Sequence, residues 1–275
     1  MNALAIVIVS YNTRSELEHC LQSLHDHPPH VSHEIVVVDN ASRDGSVEAV
    51  RARWPDVTVI TLNANVGFSS ANNAGIRRTE SELMLLLNSD TIVAEGAIDR
   101  LIAAMRELPG ASIVGPRIVD ANGRVELSHG RMMTPLAELR QKLLVRHGSR
   151  LTLSRLTSRT RQVDWVTAAC LLVRRRDAEA AGLLDERYFM YCEDVDFCAA
   201  VRANGGKVYF TPRAEIVHLR GRSWGAASGA TGASYRRSHL AFYRKHHPWL
   251  APLLKAYLTI ARMMPGQAAD KRAKS

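Results

Sequence analysis

Five positions in this 275-residue chain carry reactive or binding chemistry where strands end or helices begin. They are Asp39, Asp90, the Glu193-Asp194 pair, His218 and Trp165. Asp90 closes the run Leu83-Met84-Leu85-Leu86-Leu87-Asn88-Ser89-Asp90-Thr91, five apolar residues that stop at a carboxylate. Such a run reads as a strand buried on both faces. In an open parallel sheet, ligands bind beyond the carboxyl ends of the strands, so Asp90 is expected at the mouth of a site, facing a hard cation or a phosphate-bearing ligand. Glu193, Asp194 and Asp196 crowd the start of a helix. Acidic residues there stabilise the positive end of the macrodipole. Three in one turn exceed that need, and a functional carboxylate is expected among them.

The elements that must position these groups can be read from periodicity. Ala5-Ile6-Val7-Ile8-Val9 and Glu34-Ile35-Val36-Val37-Val38 are buried strands, ending at Ser10-Tyr11-Asn12 and at Asp39-Asn40. Between them lies a helix with Leu17, Leu21 and Leu24 inward, Thr13 or Ser15 as its cap, and Pro28-Pro29 beyond it. A helix with Val47, Val50 and Trp54 inward, a strand at Val57 to Ile60, a loop at Asn63 to Gly67 and a helix from Ser69 or Ser70 through Ile76 follow. The Asp90 strand comes next, then a helix on Ile98, Leu101, Ile102 and Met105. Strand–helix alternation with short loops predicts an α/β fold, a doubly wound and mostly parallel sheet with helices on both faces, over residues 1 to about 110.

Beyond that point the pattern changes. Ile113 to Val125 predicts a hairpin turning at Asn122-Gly123. Residues 128–162 are basic and weakly patterned, as expected of a flap or an acceptor-facing insertion. Val163 to Arg174 predicts one strand, Asp177 to Ala181 a short helix stopped by Gly182, and Glu193 to Asn204 a helix stopped by Gly205-Gly206. Val208 to Phe210 and Glu215 to Val217 predict two short strands. Ser223 to Ser234 is rich in Gly, Ala and Ser and reads as flexible. Two helices broken at Pro248 follow, and the tail after Pro265 reads as disordered.

Composition bounds the possibilities. A hydrophobic content of 46% and a charged content of 23% suit one sizeable soluble core. The net charge of +9, from 36 basic and 27 acidic residues, suits an anionic partner. Cys20, Cys170, Cys192 and Cys198 lack paired metal-ligand spacing, so buried free thiols and a reducing, cytoplasmic compartment are expected. The chain enters its first strand at once, so no signal peptide is expected, and no stretch reaches the roughly 18 apolar residues of a spanning helix.

Five segments in order carry a resemblance. They are Ile8-Val9-Ser10-Tyr11-Asn12, Val36-Val37-Val38-Asp39-Asn40-Ala41-Ser42, Asn65-Val66-Gly67-Phe68, Leu87-Asn88-Ser89-Asp90-Thr91, and Asp185 through Asp196. Together they resemble family 2 glycosyltransferases of GT-A fold, in the rhamnosyltransferase-like branch of bacterial cell-wall and polysaccharide assembly, over roughly residues 4 to 225. The resemblance implies a GT-A domain at 1–225. Its nucleotide-binding half is 1–110, and its acceptor and catalytic half is 111–225 with the basic insertion 128–162. A C-terminal helical extension at 235–264 and a tail at 265–275 complete the division.

The resemblance also implies roles. Asp39 accepts a hydrogen bond from a pyrimidine N–H, which uracil and thymine offer; the alternative is a turn or cap residue. Ser10, Tyr11 and Asn12 line the same pocket, while Asn65, Gly67 and Asn72 border the ribose and donor sugar. Asn88, Ser89 and Asp90 match the family's Asp-x-Asp motif, with Asn in its first position. Asp90 and His218 would hold Mn²⁺ or Mg²⁺, unless the His is structural. Asp194 would be the base of a single inverting displacement, with Glu193 beside it on the acceptor side. Trp165 either stacks on a sugar or belongs to the core.

The implied reaction is transfer from a nucleotide sugar, dTDP-rhamnose first and a UDP-sugar as the alternative, to a glycan or polyprenyl-diphosphate-linked acceptor. A non-catalytic nucleotide- or glycan-binding module and a nucleotidyltransferase are the rivals. The latter lacks its Gly-rich basic loop at Ser10 to Arg14. Basic charge without a nucleic-acid-binding motif disfavours nucleic acid. The C-terminal apolar positions, Trp249, Leu250, Leu253, Leu254, Tyr257, Leu258, Ile260 and Met263 behind Arg244 and Lys245, fit peripheral contact with the inner face of the plasma membrane. Core packing or a dimer contact would explain them as well.

Overall fold

A computed structural model describes residues 2–147, 154–219 and 228–263. Three parallel pairings build the first half of its sheet. Strand β1 (Leu4–Ser10) lies between β2 (His33–Asp39) and β4 (Leu83–Asn88), and β3 (Thr58–Thr61) flanks β2. The β-branched and leucine runs explain the depth of this region. Leu83, Leu85 and Leu87 enter one apolar cluster with Leu4, Ile6 and Ile8, while Met84 and Leu86 enter the other with Val7. This is the two-residue alternation of a strand covered on both faces. Helices α1 (Arg14–Asp26), α2 (Ser46–Arg53), α3 (Phe68–Arg78) and α4 (Ala97–Glu107) provide the cover.

The second half is mixed. Strand β11 (Cys170–Arg174) runs antiparallel between β4 and β6 (Ala111–Val119); β12 (Lys207–His218) lies parallel to β6, and β5 (Thr91–Val93) pairs antiparallel with β12. The expected hairpin is present, with Gly123 at φ 71° and β7 (Val125–Glu126) paired to the end of β6. The two short strands expected around 208–217 are one strand. Its register shifts between Thr211 and Glu215, where Pro212 sits, and a bulge is where a strand tolerates proline. The single strand expected at Val163 to Arg174 is instead three pieces: β9 (Arg161–Val163), β10 (Trp165–Val166) and β11. Strand β10 leaves the main sheet to pair with β8 (His129–Gly130).

The basic insertion, weakly patterned in sequence, carries regular structure. It contains β8 and helix α5 (Pro135–His147), and residues 148–153 lie outside the described residues. Helix α6 (Arg175–Ala180) and helix α7 (Glu193–Ala203) follow as expected. The Gly/Ala/Ser-rich stretch is helical from Ser228, where α8 (Ser228–His246) begins; residues 220–227 are not described. Helix α8 is built into the body, since Phe242 (0% exposed) and Tyr243 share the cluster that holds Val7 and Phe197. A 3₁₀ turn at Pro248–Leu250 leads to α9 (Ala251–Met263), and the expected disordered tail lies outside the described residues. All four cysteines are buried free thiols.

Candidate active site

The donor side is a rim of strand ends stitched by short polar side chains. Asp39 closes β2 with 3% exposure. Its Oδ2 accepts the Ser42 N–H at 3.1 Å, while its Oδ1 is buried without a partner among the described residues. Asn12, at φ 53°, donates its N–H to Ser42 Oγ (2.9 Å) and accepts the Arg43 N–H at Oδ1 (2.8 Å), which joins the loops after β1 and β2. Tyr11 projects from the rim, 48% exposed. Ser10 and Ser89 are buried, and Thr13 Oγ1 links their hydroxyls at 3.0 and 2.9 Å. Thr13 therefore ties β1 to β4 and makes no side-chain cap for α1.

Asn65 and Asn72, expected to face the donor, have internal partners. Asn65 Oδ1 accepts from Asn40 Nδ2 (3.0 Å) and from the Gly67 N–H (3.0 Å); Asn72 Nδ2 donates to the Phe68 carbonyl (2.9 Å). They shape the loop that enters α3. Gly67, at φ 87°, caps that helix in place of the expected serines, and a Cβ there would lie 2.5 Å from the Phe189 carbonyl oxygen. The Phe68 N–H donates to the same oxygen at 2.7 Å, so Gly67 admits the 185–192 segment against the donor loop.

Past β4 the chain turns back into β5. The β5–β12 register sets His218 opposite Thr91, and His218 Nε2 lies 3.1 Å from Asp90 Oδ1. Glu126 Oε2, from β7, is 3.8 Å from His218 Nδ1. Burial pulls the imidazole's proton affinity down, but hydrogen bonds and charge from Asp90 and Glu126 outweigh it and push the pKa up to about 9. Asn88 Oδ1 is buried without a hydrogen-bond partner among the described residues. Among the described residues no three His, Cys, Asp or Glu side chains form a metal-binding group. Asp90 and His218 nevertheless bring an oxygen and a nitrogen donor within 3.1 Å of each other, and Asp90 stands two residues along the chain from Asn88.

The break between β10 and β11 joins this rim to α7. The Asn88 N–H donates to the Ala169 carbonyl at 3.0 Å, and the Ala168 N–H donates to Asp194 Oδ2 at 3.3 Å. One short segment thus sets Asp194 beside the Asn88-Ser89-Asp90 turn. Burial raises the Asp194 pKa against the N–H bonds from Val195 and Ala168 and the Thr167 hydroxyl. Glu193 is 7% exposed, with Oε2 buried and unpartnered; burial first, and the Asp194 charge second, push it well above the carboxylate range. Asp196 is spent on structure, accepting from Tyr188, Lys245 and His246. Trp165 is core: 7% exposed, it lies on Gly130 and donates its indole N–H to the Arg131 carbonyl at 2.8 Å.

Sequence reasoning read Thr13 only as a helix cap and gave no site role to Asn40, Thr167, Ala168 or Glu126. Asn40 alone carried a readable signal, as the residue after a strand-end acid. The others depend on contacts between distant segments.

A half-parallel sheet whose strand ends meet a helix bearing an acid suits a ligand held beyond those ends with a carboxylate beside it. The family model for Glycosyl transferase family 2 matches residues 5–180, and the chain belongs to that family. It is 30% identical to the N-acetylglucosaminyl-diphospho-decaprenol L-rhamnosyltransferase of Mycobacterium tuberculosis (strain ATCC 25618 / H37Rv), over 92% of this chain and 88% of that one. Its fold is similar to GalNAc-T7 with UDP, GalNAc and Mn²⁺ (TM-score 0.60, 17% identity, 80% of this chain and 44% of that one). It is also similar to S. aureus TarS 1-349 in complex with UDP-GlcNAc (TM-score 0.57, 17% identity, 79% and 58%).

Proposed function

We propose that this chain is an inverting rhamnosyltransferase that takes L-rhamnose from dTDP-rhamnose and delivers it to a polyprenyl-diphosphate-linked sugar in cell-wall assembly. The observation that carries the mechanism is the bridge through Ala168 and Ala169, which holds Asp194 beside the Asn88-Ser89-Asp90 turn. An acceptor hydroxyl attacks the anomeric carbon and loses its proton to Asp194. The bond from that carbon to the diphosphate oxygen breaks, and its electron pair leaves with the nucleoside diphosphate. The raised proton affinity of Asp194 suits it to hold that proton. Asp39 Oδ1, an acceptor with no donor, awaits the N–H of thymine or uracil. A divalent cation, Mn²⁺ or Mg²⁺, would be held by Asp90, His218 and the Asn88 oxygen, and it supplies charge neutralisation at the leaving diphosphate.

The acceptor and the C-terminal helix fit one location, the inner face of the plasma membrane. No described helix is long and apolar enough to cross a bilayer. Yet Trp249 (85% exposed), Leu253, Tyr257 and Ile260 face outward from the 3₁₀ turn and α9, and Leu136, Leu139 and Leu143 from α5. An exposed apolar stripe near Arg140 and Lys255 suits an anionic lipid surface.

A donor panel tests the sugar. With Mn²⁺ and a polyprenyl-diphosphate-GlcNAc acceptor, dTDP-rhamnose is expected to be consumed ahead of UDP- and GDP-sugars. Consumption of a UDP-hexose with dTDP-rhamnose ignored would overturn the donor, and preference for a CDP-sugar, whose base presents an acceptor at that edge, the role of Asp39. Flotation with anionic vesicles, expected to weaken in Leu253→Glu, tests the location; equal flotation of both proteins would refute it.

A further inference from the structure

Helix α7 begins in an unusual way. Tyr191 and Cys192 both have positive φ, 73° and 68°, immediately before Glu193. Two successive non-glycine residues in the left-handed region are strained and persist only where the surroundings over-determine them. The constraints come from two sides. On one side the Ala168 N–H holds Asp194 Oδ2. On the other, α8 grips the same turn at three points. Ser238 Oγ donates to the Met190 carbonyl at 2.7 Å. Lys245 Nζ bridges Asp196 Oδ2 and Asp185 Oδ2, at 2.8 Å each. His246 Nε2 lies 2.6 Å from Asp196 Oδ1, which also accepts the Tyr188 hydroxyl at 3.1 Å.

Asp196 is 1% exposed and its oxygens have three donors. It sits two residues from Asp194, more than half a helical turn around, so the two carboxylates point apart. One is fixed to α8 and the other is left at the site. The bonds to Asp196 set the rotation and height of the first turn of α7, and hence where Asp194 stands.

We propose that Asp196, clamped by Lys245 and His246, is a positioning residue for Asp194, and that α8 is therefore part of the catalytic machinery. This inference rests on the reading of Asp194 as the base. Displacing a catalytic group by about 1 Å costs roughly 100-fold in rate, so loosening the clamp is expected to appear in kcat.

The test compares wild type, Lys245→Met, Lys245→Arg, Tyr188→Phe and Asp194→Asn for transfer rate, nucleotide affinity and thermal unfolding, at a temperature where each is folded. Lys245→Met is expected to lower kcat about tenfold or more with nucleotide Kd within about twofold, and Lys245→Arg, which can still reach both carboxylates, to recover most of the loss. Tyr188→Phe removes one neutral donor and is expected to lower kcat by a smaller factor with Kd unchanged. A lower Tm with undiminished kcat in Lys245→Met would make the clamp merely structural and overturn the proposal. If Lys245→Met does not fold, Tyr188→Phe decides, and an unchanged kcat there overturns it. Failure of the underlying reading looks different: Asp194→Asn would then turn over normally, whereas an inactive Asp194→Asn beside a normal Lys245→Met sinks the clamp alone.

Discussion

The donor rim and the catalytic turn are built in opposite ways. At the rim, Ser10, Asn12, Thr13, Ser42 and Ser89 are small side chains that bond hydroxyls and backbone at the ends of three neighbouring strands. The groups in these bonds are neutral. Around Asp194, carboxylates are buried and clustered, and their supports arrive from α8 and from the broken strand between β10 and β11. The first arrangement needs only that parallel strands end level. The second needs residues far apart in sequence to meet, so changes remote from Asp194 are expected to reach it while leaving the rim intact.

The sharpest break in that comparison is Asp194→Asn. Transfer is expected to fall by roughly 100- to 10,000-fold, the usual worth of a positioned base, while nucleotide binding persists because the rim is untouched. Steady-state turnover with equilibrium nucleotide titration checks it, and near-normal turnover would remove Asp194 from the mechanism. The raised pKa adds a pH signature. Activity in the wild type is expected to be lost on acidification at a pH above the ordinary aspartate range, since the base must be deprotonated to act.

Next in size is an effect confined to acid. His129 is buried, stacks on Phe210 at 4.0 Å and has Nδ1 unpartnered; burial first, then the Arg161 charge, lower its pKa to about 4. A base whose folded pKa is depressed binds fewer protons folded than unfolded between pH 6.5 and about 4, so stability falls across that window as pH falls. His129→Phe removes this penalty. The variant is expected to gain on wild type by about 3 kcal/mol between pH 7 and 4, read from denaturant unfolding at several pH values. Parallel pH profiles would contradict it. Gly67→Ala comes third, at about 2 kcal/mol of lost stability. Its new methyl would meet the Phe189 carbonyl backbone at a positive φ, where the two regions touch. A Tm equal to wild type would show that the junction yields.

The same division decides what was legible beforehand. Leu83 to Leu87 announced a two-sided strand because its period and its stop at polar residues are local. Asp39, Asp90 and Asp194 were placed by the same reasoning, as strand-end and helix-start acids. Trp165 could not be assigned, because whether an indole is open or covered depends on Gly130, 35 positions earlier. Lys245 read as surface charge for an anionic partner, and only the packing of α8 turns it onto Asp185 and Asp196. The break at Thr167 to Ala169 was invisible in an apolar run, since it arises from β10 pairing with β8 rather than from any breaker residue.

The smallest effect is expected at the rim, in Asp39→Asn. The buried Oδ1 has no donor among the described residues, and the Ser42 N–H occupies Oδ2. A carboxylate only accepts, so it favours a base edge that offers an N–H and disfavours one that presents an acceptor there. An amide can accept through its oxygen or donate through its nitrogen. Asp39→Asn should therefore weaken UDP or dTDP by roughly tenfold, the difference between a charge-assisted and a neutral hydrogen bond. It should also narrow the gap to CDP, whose base offers an acceptor at the same edge. Turnover at saturating donor is expected to stay near wild type, because Asp194 and its α8 supports are untouched. Calorimetric titration of UDP, dTDP and CDP against both proteins reads the two effects together. A fall in saturated turnover would show that rim and catalytic turn are coupled more closely than their separate supports imply, and unchanged base preference would take Asp39 out of base recognition.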